Sequence, residues 1–158
     1  MDWSGWAVYG PVATVLLTAV MVGAQLAGFS RLDIPLMLGS LVVRDPDRAR
    51  FVGFFLHLIA GQIFAVFYGL TFAGLARSEW WLGALFGLAH AAVAGAVLVP
   101  VLSYVHPRMA TERTGPTSTA TLEPPGLMAL NYGWGTPLVA MVAHAGYGAV
   151  LGLLMQTG

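Results

Sequence analysis

Four apolar stretches, at about residues 6–29, 51–75, 80–105 and 135–155, occupy most of this chain. Each is long enough to cross the roughly 30 Å hydrocarbon core of a bilayer, which takes about 20 helical residues. Inside hydrocarbon every backbone N–H and C=O must be paired within its own segment, so such stretches fold as helices. The expected architecture is all-α: a polytopic membrane protein in which residues 1–158 form a single four-transmembrane-helix bundle.

Composition excludes the soluble alternatives. Charged residues make up 9% of the chain and hydrophobic ones 58%, against about 25% charged for a soluble domain. Seven acids and seven bases cannot coat a globule of 158 residues. The absence of cysteine excludes disulfides, thiolate metal sites and haem attached through a CxxCH motif. A formal net charge of zero gives no electrostatic footprint for nucleic acid, so none is expected as a partner. The start, Met1-Asp2-Trp3-Ser4-Gly5-Trp6, lacks the basic region of a signal peptide, so the first span is expected to be retained.

All seven basic residues are arginines, and their placement predicts topology. Arg31, Arg44, Arg48 and Arg50 lie between spans one and two, Arg108 and Arg113 between spans three and four, and only Arg77 between spans two and three. The positive-inside rule therefore puts the first and third loops in the cytoplasm and both termini outside.

The loops carry local signals. Asp45-Pro46 reads as an N-cap followed by proline at the first helical position, which starts the second helix ahead of its apolar part. Asp33-Ile34-Pro35 makes a similar start for the run 34–43, which is too short to span and predicts an interfacial or re-entrant helix. The Thr-, Pro- and Gly-rich segment at about 107–130 has no apolar period and is expected to be a mobile loop. Ion pairs are expected at the membrane surface between Arg31 and Asp33 and between Arg108 and Glu112.

Small residues mark the faces that pack together. Gly53, Gly61 and Gly69 in span two, Gly83, Gly87 and Gly95 in span three, and Gly148 and Gly152 in span four fall on four-residue ladders. A step of four keeps side chains near one face, and small groups there let backbones approach closely. His57 and His144 sit on these ladders, which places them inside the bundle, and His90 lies directly beside one. At 1.5 Å per residue, His57 lies about 10 Å and His144 about 10–14 Å from the arginine-rich face, a comparable depth at which the two are expected to meet across the core, and His90 lies nearer the bilayer centre. Gln25, Arg31, Asp33, His106, Arg108 and Tyr147 are candidates for a polar pocket with them on that side.

An ionisable group inside a membrane normally faces protein, water or a ligand. His57, His144 and His90 are therefore candidate ligands for haem or a divalent metal, since neutral imidazole binds iron, zinc and copper. The competing reading is hydrogen bonding across helix interfaces, which is common and worth about 0.6 kcal/mol per bond. The spans contain no Asp, Glu, Lys or Arg, which argues against carboxylate-relay pumps, and no GxSxG, Walker or GxGxxG motif points to an enzyme.

The segments His57-Leu58-Ile59-Ala60-Gly61-Gln62-Ile63-Phe64, Gly83-Ala84-Leu85-Phe86-Gly87-Leu88-Ala89-His90, Pro100-Val101-Leu102 and His144-Ala145-Gly146-Tyr147-Gly148 resemble small bacterial four-span proteins, including the YagU-like group. The resemblance covers spans two to four. It implies a four-helix fold in the bacterial inner membrane and brings no activity or ligand with it. The expected function is a non-enzymatic packing, accessory or scaffold component that joins a homo-oligomer or larger membrane complex; the alternatives are a metal- or haem-binding bundle and a channel or carrier for protons or a small neutral solute.

Overall fold

A computed structural model describes residues 3–111 and 113–155, and these fold as an all-helical bundle. The helices are α1 (Trp3–Leu26), α2 (Ile34–Gly39), α3 (Pro46–Leu75), α4 (Trp80–Val93), α5 (Val99–Val105) and α6 (Thr136–Leu154). A π-helical turn (Ala94–Leu98) joins α4 to α5, and a 3-10 segment (Leu127–Tyr132) precedes α6. Among the described residues, four helices are long and apolar enough to cross a membrane: Gly5–Leu26, Pro46–Leu75, Trp80–Val105 and Thr136–Leu154. Phe55, Ile59, Ile63, Phe67 and Leu70 recur at helical spacing on the exposed side of α3, as a lipid-facing surface requires.

The helix starts follow the capping signals. The Asp45 carboxylate accepts from the Arg48 N–H at 2.9 Å and Pro46 occupies the first turn. Asp33 caps α2 in the same way, accepting from Leu36 N–H at 2.8 Å. The 30 residues of α3 run for about 45 Å at 1.5 Å per residue, so its charged first turn stands clear of the hydrocarbon.

Two interfaces are built on glycine. A methyl group at Gly83 or Gly148 would overlap the backbone carbonyl of the other, one at Gly87 would overlap that of His144, and one at Gly152 that of Glu79. These positions bring α4 and α6 into backbone contact. Gly53 meets Pro35 and Gly39 in the same way, which docks the short α2 helix onto α3. Gly61 packs on Thr14 of α1, Gly69 is buried in α3, and Gly95 packs on Met128 of the 3-10 segment. Side by side, α6 packs on α4 and on α1, and α1 packs on α3. The backbones of α3 and the α4–α5 helix stay apart, and side chains bridge the gap at α4, where Phe64 and Tyr68 meet His90.

The third loop is anchored at its base. Ala110 N–H donates to Leu122 O at 2.8 Å, Leu122 N–H to Arg108 O at 3.0 Å, and Met109 and Ala110 are buried. The π turn has a local cause. Pro100 has no N–H, so one rung of the helical ladder is missing, and the Val99 N–H instead reaches back five residues to Ala94 O.

Candidate functional site: a histidine-lined cavity

An internal cavity of about 440 Å³ lies between α1, α3, α6 and the α4–α5 helix, floored by α2 and the 3-10 segment. Its walls are almost wholly aliphatic or aromatic, among them Leu17, Met21, Phe64, Ala94 and Leu102. His57, His90, His144, Tyr147 and Thr14 supply its polar atoms. The volume falls within the 300–1,000 Å³ typical of small-molecule sites. Leu98 and Val101 line the cavity and are also exposed on the outer surface, so it opens sideways where α3 and α5 stand apart.

The wall beside this opening is irregular backbone. The π turn contributes Ala94, Gly95 and Leu98. Opposite it, Met128 and Ala129 line the cavity with φ of 54° and 57°. Left-handed backbone at two adjacent non-glycine residues costs about 1–2 kcal/mol each, which tertiary packing must offset.

Hydrogen bonds fix how two of the histidines face the space. Thr18 Oγ1 has one proton and gives it to Thr14 O at 2.7 Å. It therefore accepts from His57 Nδ1–H, 3.0 Å away. His144 Nδ1 lies 2.8 Å from Ala140 O, and a carbonyl can only accept, so this Nδ1 also carries a proton. In each neutral ring Nε2 is then an acceptor. Neither Nε2 has a hydrogen-bond partner among the described residues, and neither is sealed off by its surroundings. An acceptor left unmade in an apolar setting costs about 1–3 kcal/mol.

The third ring is positioned by aromatic packing. The His90 ring lies 4.8 Å from that of His144, edge to face at 79°, and 4.0 Å from that of Phe64. Tyr68 Oη is 3.5 Å from His90 Nδ1. Tyr147 Oη donates to Gly61 O at 2.6 Å, tying α6 to α3. Towards the end of the bundle next to the α3–α4 turn, Phe72 and Leu151 are fully buried and Tyr68 and Phe86 pack against Phe72, so the core is filled there. The cavity is blind on that side.

The arrangement differs from the sequence expectation in three respects. The ring that meets His144 is His90, while His57 lines the same cavity without a ring contact among the described residues. The six polar candidates do not form one pocket. Tyr147 faces the cavity, but Gln25 and Asp33 line a shallow groove between α1 and α3 with Arg50. Arg31 pairs with Glu123 at 2.9 Å and donates to Asn131 O. His106 and Arg108 bind the end of α5 to α2 through Met37 O and Ser40 O. The surface ion pairs also change partners. Asp33 pairs with Arg50 at 2.8 Å, not with Arg31, because the α2 cap places its second oxygen towards α3. Glu112, the expected partner of Arg108, lies outside the described residues.

His106 is a structural residue. Its Nε2–H donates to Met37 O at 3.0 Å, and its Nδ1 accepts from the Arg108 N–H at 3.1 Å. Burial lowers its pKa below the usual 6.5, and the Arg108 charge adds to this against the pull of the Met37 carbonyl.

Among the described residues no group of three or more His, Cys, Asp or Glu side chains is arranged to hold a metal ion. The cavity lining also holds no Arg or Lys to meet the carboxylates of a haem.

Together these features define a class: a four-helix bundle of membrane-spanning length with a lateral, histidine-lined apolar cavity. Comparison with known protein families, curated proteins and solved structures gave no match to this chain.

Proposed function

We propose that this protein binds a lipid-soluble small molecule in the bundle cavity, drawn from the bilayer through the gap between α3 and α5. The observation that carries this reading is the pairing of a ligand-sized apolar space with imidazole acceptors that have no partner among the described residues. Apolar walls supply burial, at roughly 25 cal/mol per Å², and a few placed polar atoms supply orientation. The blind end next to the α3–α4 turn favours a binding site over a through-channel. The glycine ladders are spent inside the chain on α4–α6, α2–α3 and α1–α3 contacts, which weakens the scaffold reading.

The setting we infer is the bacterial inner membrane, with the arginine-rich loops cytoplasmic and both termini outside. The arginine distribution and the resemblance of spans two to four support this.

The test is solvent extraction of protein purified in mild detergent, followed by mass spectrometry, for the wild type and for Ala60→Phe and Ala140→Phe. Both alanines line the cavity, so the larger ring takes ligand volume. A stoichiometric apolar compound in the wild type, depleted in both filled variants, is the expected result. Equal recovery from all three proteins would overturn the proposal.

A further inference from the structure

The two fixed tautomers narrow the ligand's chemistry. Because Thr18 and Ala140 O hold the Nδ1 protons, His57 and His144 both offer lone pairs. A ligand bearing only carbonyl or ether oxygens would meet acceptor with acceptor. A ligand with O–H groups would satisfy both rings. These two rings stand on different helices, α3 and α6, and line one space. The wall near them is aromatic: Phe64 against His90, His90 edge-on to His144, and Tyr147 edge-on to Tyr68. Flat rings pack well on such a wall by offset or edge contacts. A phenolic O–H is also a stronger donor than an aliphatic one.

We infer that the cavity takes a lipid-soluble dihydroxyarene, of the hydroquinone class, whose hydroxyl groups donate to Nε2 of His57 and His144 while its ring lies against Phe64 and His90. The inference rests on the cavity being the binding site. No electron transfer is part of it. The site distinguishes the hydroxylated form of a ring from its carbonyl form by hydrogen-bond polarity alone. In this respect recognition resembles a pocket built for a substrate hydroxyl, which rejects analogues lacking it because its own polar groups are then left unpaired.

The experiment uses three probes on one carbon skeleton under anaerobic conditions: tetramethylhydroquinone, tetramethylbenzoquinone and the dimethyl ether of the hydroquinone. Their dissociation constants are measured on the full chain in lipid nanodiscs, with empty nanodiscs subtracted. The hydroquinone is expected to bind at least about tenfold more tightly than either other probe, corresponding to about 1.4 kcal/mol. His57→Phe and His144→Phe are each expected to reduce that preference, because each removes a lone pair that favours the O–H probe and opposes the other two.

Equal affinity for all three probes, with binding abolished in Ala60→Phe, would overturn the dihydroxyarene assignment and keep the cavity. Binding that Ala60→Phe leaves unchanged would overturn both. A Soret band in the purified protein would give the lone pairs to haem iron and overturn the dihydroxyarene assignment. The wild-type comparison needs no variant to fold, so the preference itself decides the matter.

Discussion

A histidine inside a membrane protein is defined by what holds its Nδ1. At His57 and His144 that nitrogen is held by the protein, through Thr18 and Ala140 O, and Nε2 has no hydrogen-bond partner among the described residues. At His106 both nitrogens are used, one on Met37 O and one on the Arg108 N–H. The contrast makes a pH prediction. Protonating His106 places a proton on Nδ1, where a backbone donor already points. Its folded pKa is below the unfolded value of 6.5, so its contribution to stability is complete above that pH and is lost as pH falls through the folded pKa. Thermal stability in detergent is therefore expected to fall from pH 7.5 to pH 5. His106→Gln should flatten that slope, and an unchanged slope would place the titrating group elsewhere. The inward aim of His57 and His144 was legible from their place on glycine ladders. The protons were not, because Thr18 comes from a different helix and its register against α3 is a tertiary fact.

At the scale of elements, glycine decides which helices touch. A Cβ at Gly83 would overlap the Gly148 carbonyl, whereas one at Gly146 would meet nothing within 4 Å. Gly83→Ala must push α4 and α6 apart, and overpacking of this kind costs about 1–3 kcal/mol. Gly146→Ala is expected to be neutral or slightly stabilising, because alanine is the better helix former by about 0.5–1 kcal/mol. Reversible unfolding in mixed detergent micelles measures both, and similar losses in the two variants would contradict this packing. The four spans, the two Asp-Pro-type helix starts and the ladders were readable because each is a local pattern with a local cause. The π turn was signalled only by Pro100, and a proline in a helix can kink, bend or widen it. The opening between α3 and α5 had no local signature. It exists because the glycine contacts pull α4 towards α6, leaving bulky Phe64 and His90 to bridge the gap on the other side.

For the whole molecule, charge and shape act on different axes. The cavity floor is made by α2 and the 3-10 segment, so the empty half of the bundle is the half next to Arg31, Arg44, Arg48, Arg50 and Arg108. The filled half, packed around Phe72 and Leu151, lies next to the single Arg77. If the positive-inside rule sets orientation, a ligand enters from the cytoplasmic leaflet, and topology becomes a statement about access. The chain has no cysteine, so single substitutions report sidedness without background. Thr119→Cys is exposed in the third loop and Arg77→Cys in the turn between α3 and α4. In intact bacterial cells a membrane-impermeant maleimide is expected to label Arg77→Cys and to leave Thr119→Cys unlabelled until the membrane is opened. The reverse pattern would invert the bundle and move the cavity mouth to the outer leaflet. Labelling of both positions before the membrane is opened would show that six arginines against one do not hold a bundle this small in one orientation.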